Sequence, residues 1–147
     1  MFNLLEGVVP YKEEDVQTYI NNGWWRGLTL GDFLDRAADM HPEKEAFVDR
    51  IGRITYAQAR ENADRAALGM IKRGIQSTDR VLIQLPNWNE FVAAYFACQK
   101  IGAIPVLLIE RYRQFEIDRL AKLTGATAWI VPKQTHKVDF VPIIDDV

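Results

Sequence analysis

Three short apolar runs, Val81–Leu85, Ile104–Ile109 and Ala128–Val131, begin about two dozen residues apart, and a helical pattern fills each gap between them. The first gap carries Phe91, Ala94, Tyr95 and Cys98 at helical spacing, opened by Asn87 with Glu90 and closed by Gly102. The second carries Ile117, Leu120, Ala121 and Thr124, closed by Gly125. Such gaps are too long for hairpins and long enough for helical crossovers, so the spacing predicts parallel strands joined right-handedly as βαβαβ. Continuous rather than alternating apolar strands fit a sheet covered on both faces. A last apolar stretch, Phe140–Ile144, predicts one further strand.

Upstream, the periodicity is helical. Val16, Tyr19 and Ile20 share a face that ends at Gly23. Thr29 and Asp32 make a capping box with Asp in place of Glu, ahead of Leu30, Phe33, Leu34, Ala37 and Ala38. His41-Pro42 stops that helix, because the residue before a proline is pushed out of the α region. Glu45–Asp49 and Arg53–Tyr56 flank Arg50-Ile51-Gly52 as a short hairpin. Thr55 and Gln58 then form a second capping box, with Ala59, Ala63, Ala66, Ala67, Met70 and Ile71 as the inward stripe and Gly74 as the stop. The fold class is therefore α/β: a parallel sheet with crossover helices, preceded by helices and a short hairpin. It divides into an N-terminal helical segment, residues 1–44, and an α/β subdomain, residues 45–147.

Composition narrows the function classes. The 147 residues are 48% apolar and 26% charged, which suits a folded core. Eighteen basic and twenty acidic side chains leave a net charge of −2, so no general electrostatic grip on nucleic acid is expected. No run reaches the ~18 apolar residues that span a bilayer, and no basic-then-apolar leader opens the chain, so a cytoplasmic protein with no membrane partner is expected. Cys98 is the single cysteine, which excludes an internal disulfide and a thiolate zinc cluster.

The search for chemistry turns up little. The carboxyl ends of the runs, Leu85-Pro86-Asn87, Ile109-Glu110-Arg111 and Val131-Pro132-Lys133, hold no glycine, whereas a phosphate-binding turn needs glycine for close backbone approach. His41 and His136 lie beside turns and make no metal set. Ser77 sits in a polar turn, Gln76-Ser77-Thr78-Asp79, without a nucleophile elbow. Cys98 falls on an apolar face and reads as an inert buried thiol. Arg111, Arg113 and Arg119, balanced by Glu110, Glu116 and Asp118, read as a solvated, ion-paired face. Trp24, Trp25 and Trp88 are expected to pack against the sheet rather than to stack on a ligand. No catalytic, cofactor-binding or metal-binding residue is assigned.

From Tyr19 to Ile117 the chain resembles the N-terminal portion of adenylate-forming enzymes, the acyl-CoA synthetases and aryl-acid AMP ligases. The matching blocks are Trp25-Arg26-Gly27-Leu28-Thr29-Leu30-Gly31-Asp32, Thr55-Tyr56-Ala57-Gln58, Gly74-Ile75, Asp79-Arg80-Val81, Leu85-Pro86-Asn87, Phe91-Val92-Ala93 and Lys100-Ile101-Gly102-Ala103-Ile104-Pro105-Val106. The first block looks most like the branch activating 2,3-dihydroxybenzoate and similar acids in siderophore synthesis. That branch commonly continues L-A-L-P-A-H-R-R-S-E-I, where this chain has Glu110 in place of the proline and Tyr112 in place of the histidine.

The resemblance implies an N-terminal part of an acid-activating ligase that continues in a parent chain and is inactive alone. The whole enzyme would use a carboxylic acid, an aryl acid in the branch it most resembles, with ATP and Mg, and would pass the acyl group to CoA or a carrier protein. By the resemblance, its phosphate loop, ribose-binding aspartate and C-terminal lysine would lie beyond position 147. The segment's first partner would be the remainder of that ligase, and a homodimer through exposed apolar surface is a further expectation. Two rival readings are a non-catalytic interaction module and a flavodoxin-like binder holding the phosphate of ATP or FMN at the helix N-terminus near Asn87.

Overall fold

A computed structural model describes residues 7–136 and 138–144. Helix α1 (Glu13–Asn21) leads to α2 (Leu30–Met40), then to a hairpin of β1 (Glu45–Val48) and β2 (Arg53–Thr55). Helix α3 (Tyr56–Lys72) precedes the alternating part: β3 (Arg80–Ile83), α4 (Asn89–Ile101), β4 (Ile104–Leu107), α5 (Gln114–Thr124) and β5 (Ala128–Ile130). A short α6 (Val141–Ile144) follows.

The three later strands form one parallel sheet in the order β4-β3-β5, with Val81 opposite Pro105 on one side and Ala128 on the other. This is the βαβαβ arrangement that the spacing predicts. Phe140–Ile144 departs from expectation, for it holds α6 and no strand. Apolar composition does not separate the two outcomes, and here the Asp139 carboxylate accepts the Val141 amide at 3.0 Å. Pro142 then sits in the first turn, where its fixed φ suits a helix.

Strand alternation splits the core. Val81 and Ile83 face α3 and α4, packing with Met70, Ala94, Ala97 and Cys98. Leu82 faces the other way, against Leu108 and Ile117, with Trp129 and Leu120 beside them. A third cluster, Leu34, Ala59 and Ala63 with Phe47, Ile54 and Phe96, joins α2 and the hairpin to α3 and α4. The buried stripe of α3 is Ala59, Ala63, Ala67 and Met70, whereas Ile71, placed on that stripe from periodicity, is exposed. Leu30 and Phe33 of α2 are exposed as well. In both helices the apolar face is wider than the surface that covers it.

Both expected capping boxes form. Thr29 Oγ1 accepts the Asp32 amide at 3.2 Å while Asp32 accepts the Thr29 amide, and Thr55 pairs with Gln58 in the same way. Gly102 (φ +74°) and Gly125 (φ +62°) end α4 and α5 in the left-handed conformation that glycine adopts without strain.

One ion-pair cluster ties the helical layer together. Lys100 of α4, with its side chain 14% exposed, reaches Asp35 of α2 at 2.5 Å and Asp64 of α3 at 2.7 Å. Its stem passes over Gly31, where a Cβ would lie 3.2 Å from Lys100 Cγ. Gly31 thus owes its place in the Trp25–Asp32 block to the path of a lysine 69 positions later (100 − 31).

Candidate functional site

Open α/β sheets bind ligands beyond the carboxyl ends of their strands. There β3 gives way to Gln84, which is fully buried and lies inside a run read as wholly apolar. Its backbone N–H still donates to Ile130 O at 2.9 Å. Its side chain points to the α5 side, where Nε2 donates to Ile109 O and Tyr112 O, both at 3.1 Å. One amide therefore clamps two turns of the loop between β4 and α5. The loop is reinforced by the Arg113 guanidinium, which donates to Glu110 O at 3.0 Å and Tyr112 O at 2.9 Å.

Three buried polar atoms near this end have no hydrogen-bond partner among the described residues: Gln84 Oε1, Glu110 Oε1 and Trp129 Nε1. Two of the three belong to the clamp and its loop. Beside them Leu107, Ile109 and Phe115 expose apolar side chains.

The other feature at this level is Asp49. Its Oδ1 accepts the amides of Ile51 and Gly52, each at 2.8 Å, which shapes the hairpin turn. Its Oδ2 accepts the Asn89 amide at 2.9 Å. The Asn89, Gly52 and Ile51 amides together hold this carboxyl below the usual range. Helix α4 starts at Asn89 with Trp88 as its N-cap, not at Asn87, and no side chain of its own caps it. The carboxylate of Asp49, forty residues earlier, takes that role. An anion thus already occupies the helix N-terminus that the flavodoxin-like reading needs for a phosphate. A groove of about 640 Å³ runs alongside, lined by Asp49, Arg53, Asn62, Arg65, Asn89 and Glu90.

The remaining sequence candidates disperse. His41 caps α2 and His136 is exposed. No group of three or more His, Cys, Asp or Glu suited to a metal occurs among the described residues. Ser77 is exposed and its hydroxyl donates to Gly102 O at 3.4 Å. Cys98 is fully buried, and burial pushes its thiol up to about 11. The ion-paired reading of the arginine cluster needs correction at Arg113, which serves backbone carbonyls because the loop bends around it. Around α5 the ion pair among the described residues is Lys122–Asp118 at 2.7 Å.

Trp24 and Trp25 do not pack on the sheet. The end of α1 diverts them: both their amides donate to Tyr19 O, and their rings lie 5.8 and 5.1 Å from the Tyr19 ring. Tyr11 meets Trp25 edge-on at 5.1 Å. Trp24 remains 67% exposed, beside a cavity of about 450 Å³ bounded by Arg26 and Phe33.

Of these residues, sequence reasoning overlooked Gln84 and Asp49. The first had a signal, a lone amide within Val-Leu-Ile-Gln-Leu. The link from Asp49 to α4 had none, since Asn89 is forty positions away. The described residues do not fit ATP with Mg: strand-end loops lack glycine, the α4 N-terminus is filled, and no carboxylate set converges.

The chain is 39% identical over 137 residues to triostin synthetase I of Streptomyces triostinicus, covering 93% of this chain and 26% of that protein. It is 36% identical over 137 residues to the 2,3-dihydroxybenzoate-AMP ligase of Bacillus subtilis, covering 93% and 25%. The apo structure of MbtA from Mycobacterium smegmatis superposes with a TM-score of 0.77 at 39% identity, over 84% of this chain and 23% of that one. The chain thus spans about a quarter of the length of the curated relatives it matches. The family model for AMP-binding enzymes matches residues 34–146, which covers the hairpin, the whole parallel sheet and the loop that Gln84 clamps, and the chain belongs to that family.

Proposed function

We propose that this chain is the N-terminal part of an acid-activating ligase, which joins a carboxylic acid to the AMP moiety of ATP with release of pyrophosphate. The acyl group then passes to the thiol of CoA or of a carrier protein. The observation that carries this reading is a family match across most of the chain combined with coverage of only a quarter of the relatives. An aryl acid is the substrate class we favour, supported by the relative named as a 2,3-dihydroxybenzoate-AMP ligase. Residues 1–44 would be the lead-in and residues 45–147 the opening of an α/β subdomain. We place the ligase in the cytoplasm; no helix among the described residues is long and apolar enough to cross a membrane.

Within the whole enzyme this segment is a wall rather than a catalyst. Stabilising the charge that develops on phosphate requires preorganised donors or a metal, and the strand-end loops here offer neither. The chain's own residues fix the geometry of that wall: Gln84 clamps the β4–α5 loop, and Asp49 seats α4. Alone, the segment would self-associate as a homodimer through exposed apolar side chains such as Leu107, Ile109 and Phe115.

The test is ATP–pyrophosphate exchange with a panel of aryl and fatty acids, run on the 147-residue chain and on the gene product read past Val147. Exchange by the longer product alone is expected. Turnover by the 147-residue chain overturns the reading of this segment as a wall, and no exchange by the longer product with any acid overturns the ligase.

A further inference from the structure

Gln84 is fully buried, yet its Oε1 accepts no hydrogen bond among the described residues, and the same holds for the buried Glu110 Oε1. The two belong to one unit, because Gln84 Nε2 holds the carbonyls of Ile109 and Tyr112, on either side of Glu110. A buried acceptor without a donor costs roughly 1–3 kcal/mol, and more if charged. Two in one clamp, next to exposed Leu107, Ile109 and Phe115, describe a surface built to be covered. The unmatched atoms of the clamp and its loop are acceptors, so the cover must bring donors to them, and an acceptor for the unmatched Trp129 Nε1. A carboxylate oxygen without a donor selects a cationic side chain, Lys or Arg, over a neutral one.

Resting on the reading above, we propose that polypeptide following residue 147 in the complete ligase docks on the α5 side of the sheet's carboxyl end and presents a cationic donor to Glu110, with an N–H for Gln84 Oε1. Three quarters of each relative lies outside the part matched, which leaves ample chain to be this occupant. The departure at Glu110 sharpens it, because a proline there carries no charge and would need no cation. Glu110 is thus a positioning residue for the interface, paired with a basic residue further along the same chain.

The proposal predicts a reversal of sign. In the 147-residue chain, Glu110→Gln removes a half-buried carboxylate that has no ion-pair partner among the described residues, and leaves the melting temperature unchanged or higher. In the complete gene product the same substitution breaks a formed pair and lowers it, by about 3 °C or more. Should the short variant fail to fold, carbodiimide coupling of glycine ethyl ester to the complete product supplies a second readout. Glu110 should then label at least tenfold more slowly than the exposed Glu61. Melting shifts of the same sign in both chains, or labelling at the Glu61 rate, overturn the docking proposal while pyrophosphate exchange stands. Absence of exchange in the complete product, or a stop codon after Val147, overturns the ligase reading itself.

Discussion

Replacing Lys100 with methionine isolates the charge that holds three helices together. Methionine keeps an unbranched stem over Gly31, so packing changes little and the loss is that of two contacts, to Asp35 and Asp64. An exposed ion pair contributes about 0–1 kcal/mol, and breaking a fully buried one costs about 3–5 kcal/mol. Lys100 is 14% exposed, but Asp35 and Asp64 are 41% and 50% exposed, so water takes over much of the solvation of the freed carboxylates. The expected loss is therefore near the lower range, about 1–2 kcal/mol for the two contacts together. For a chain of this size that lowers the melting temperature by about 2–8 °C.

The pH dependence supplies the sharper check. Burial pulls the Lys100 ammonium down, but the hydrogen bonds to Asp35 and Asp64, with their charges, outweigh it and hold the group above 10.5. A folded-state value above the unfolded one means that the contribution is complete below the unfolded value and disappears as pH rises through the folded one. Thermal melts by circular dichroism should show a constant gap between parent and Lys100→Met near neutrality, closing above about pH 10.5. A gap under about 0.5 kcal/mol at pH 7, or one that widens in alkali, refutes the assignment of Lys100 as the tie between α2, α3 and α4.

Two further outcomes follow from particular geometry. Gly102→Ala should destabilise by about 1–3 kcal/mol, since φ is +74° and the new Cβ would sit 2.7 Å from Ser77 Oγ; adding Ser77→Gly should recover part of the loss in a denaturant titration, because it clears the clash but leaves the dihedral. Asp49→Ala should speed amide exchange at Ile51, Gly52 and Asn89 together, and should remove a stability contribution that in the parent is complete above the unfolded aspartate value and fades as pH falls through the lowered folded one.

Features resting on residues a few positions apart were open to sequence reasoning, namely both capping boxes and the glycine stops at Gly102 and Gly125, and so was the regular recurrence of apolar runs that dictates a parallel sheet. Where a segment's fate hangs on a distant or equivocal partner, the pattern misleads. Phe140–Ile144 is apolar enough for a strand, but Asp139 and Pro142 start a helical turn. Trp24 and Trp25 were expected on the sheet, yet the end of α1 offers a nearer aromatic surface in Tyr19. Leu30, Phe33 and Ile71 keep helical period but stay about half exposed, because periodicity records which face is apolar and not how far the neighbour extends. Gln84 is the instructive omission. One amide among four aliphatic residues carries little weight in an apolar pattern, although it holds two carbonyls of the β4–α5 loop.

Gln84 recognises the β4–α5 loop by its main-chain oxygens alone, so the grip is blind to the identity of residues 109 and 112. Of the rim side chains, Arg113 shares in holding the bend and Tyr112 packs on the core beneath it, whereas exposed Ile109 is free of both duties. Substitution there can retune which neighbour the wall accepts without disturbing its shape, as a lock is rekeyed while its housing stays in the door.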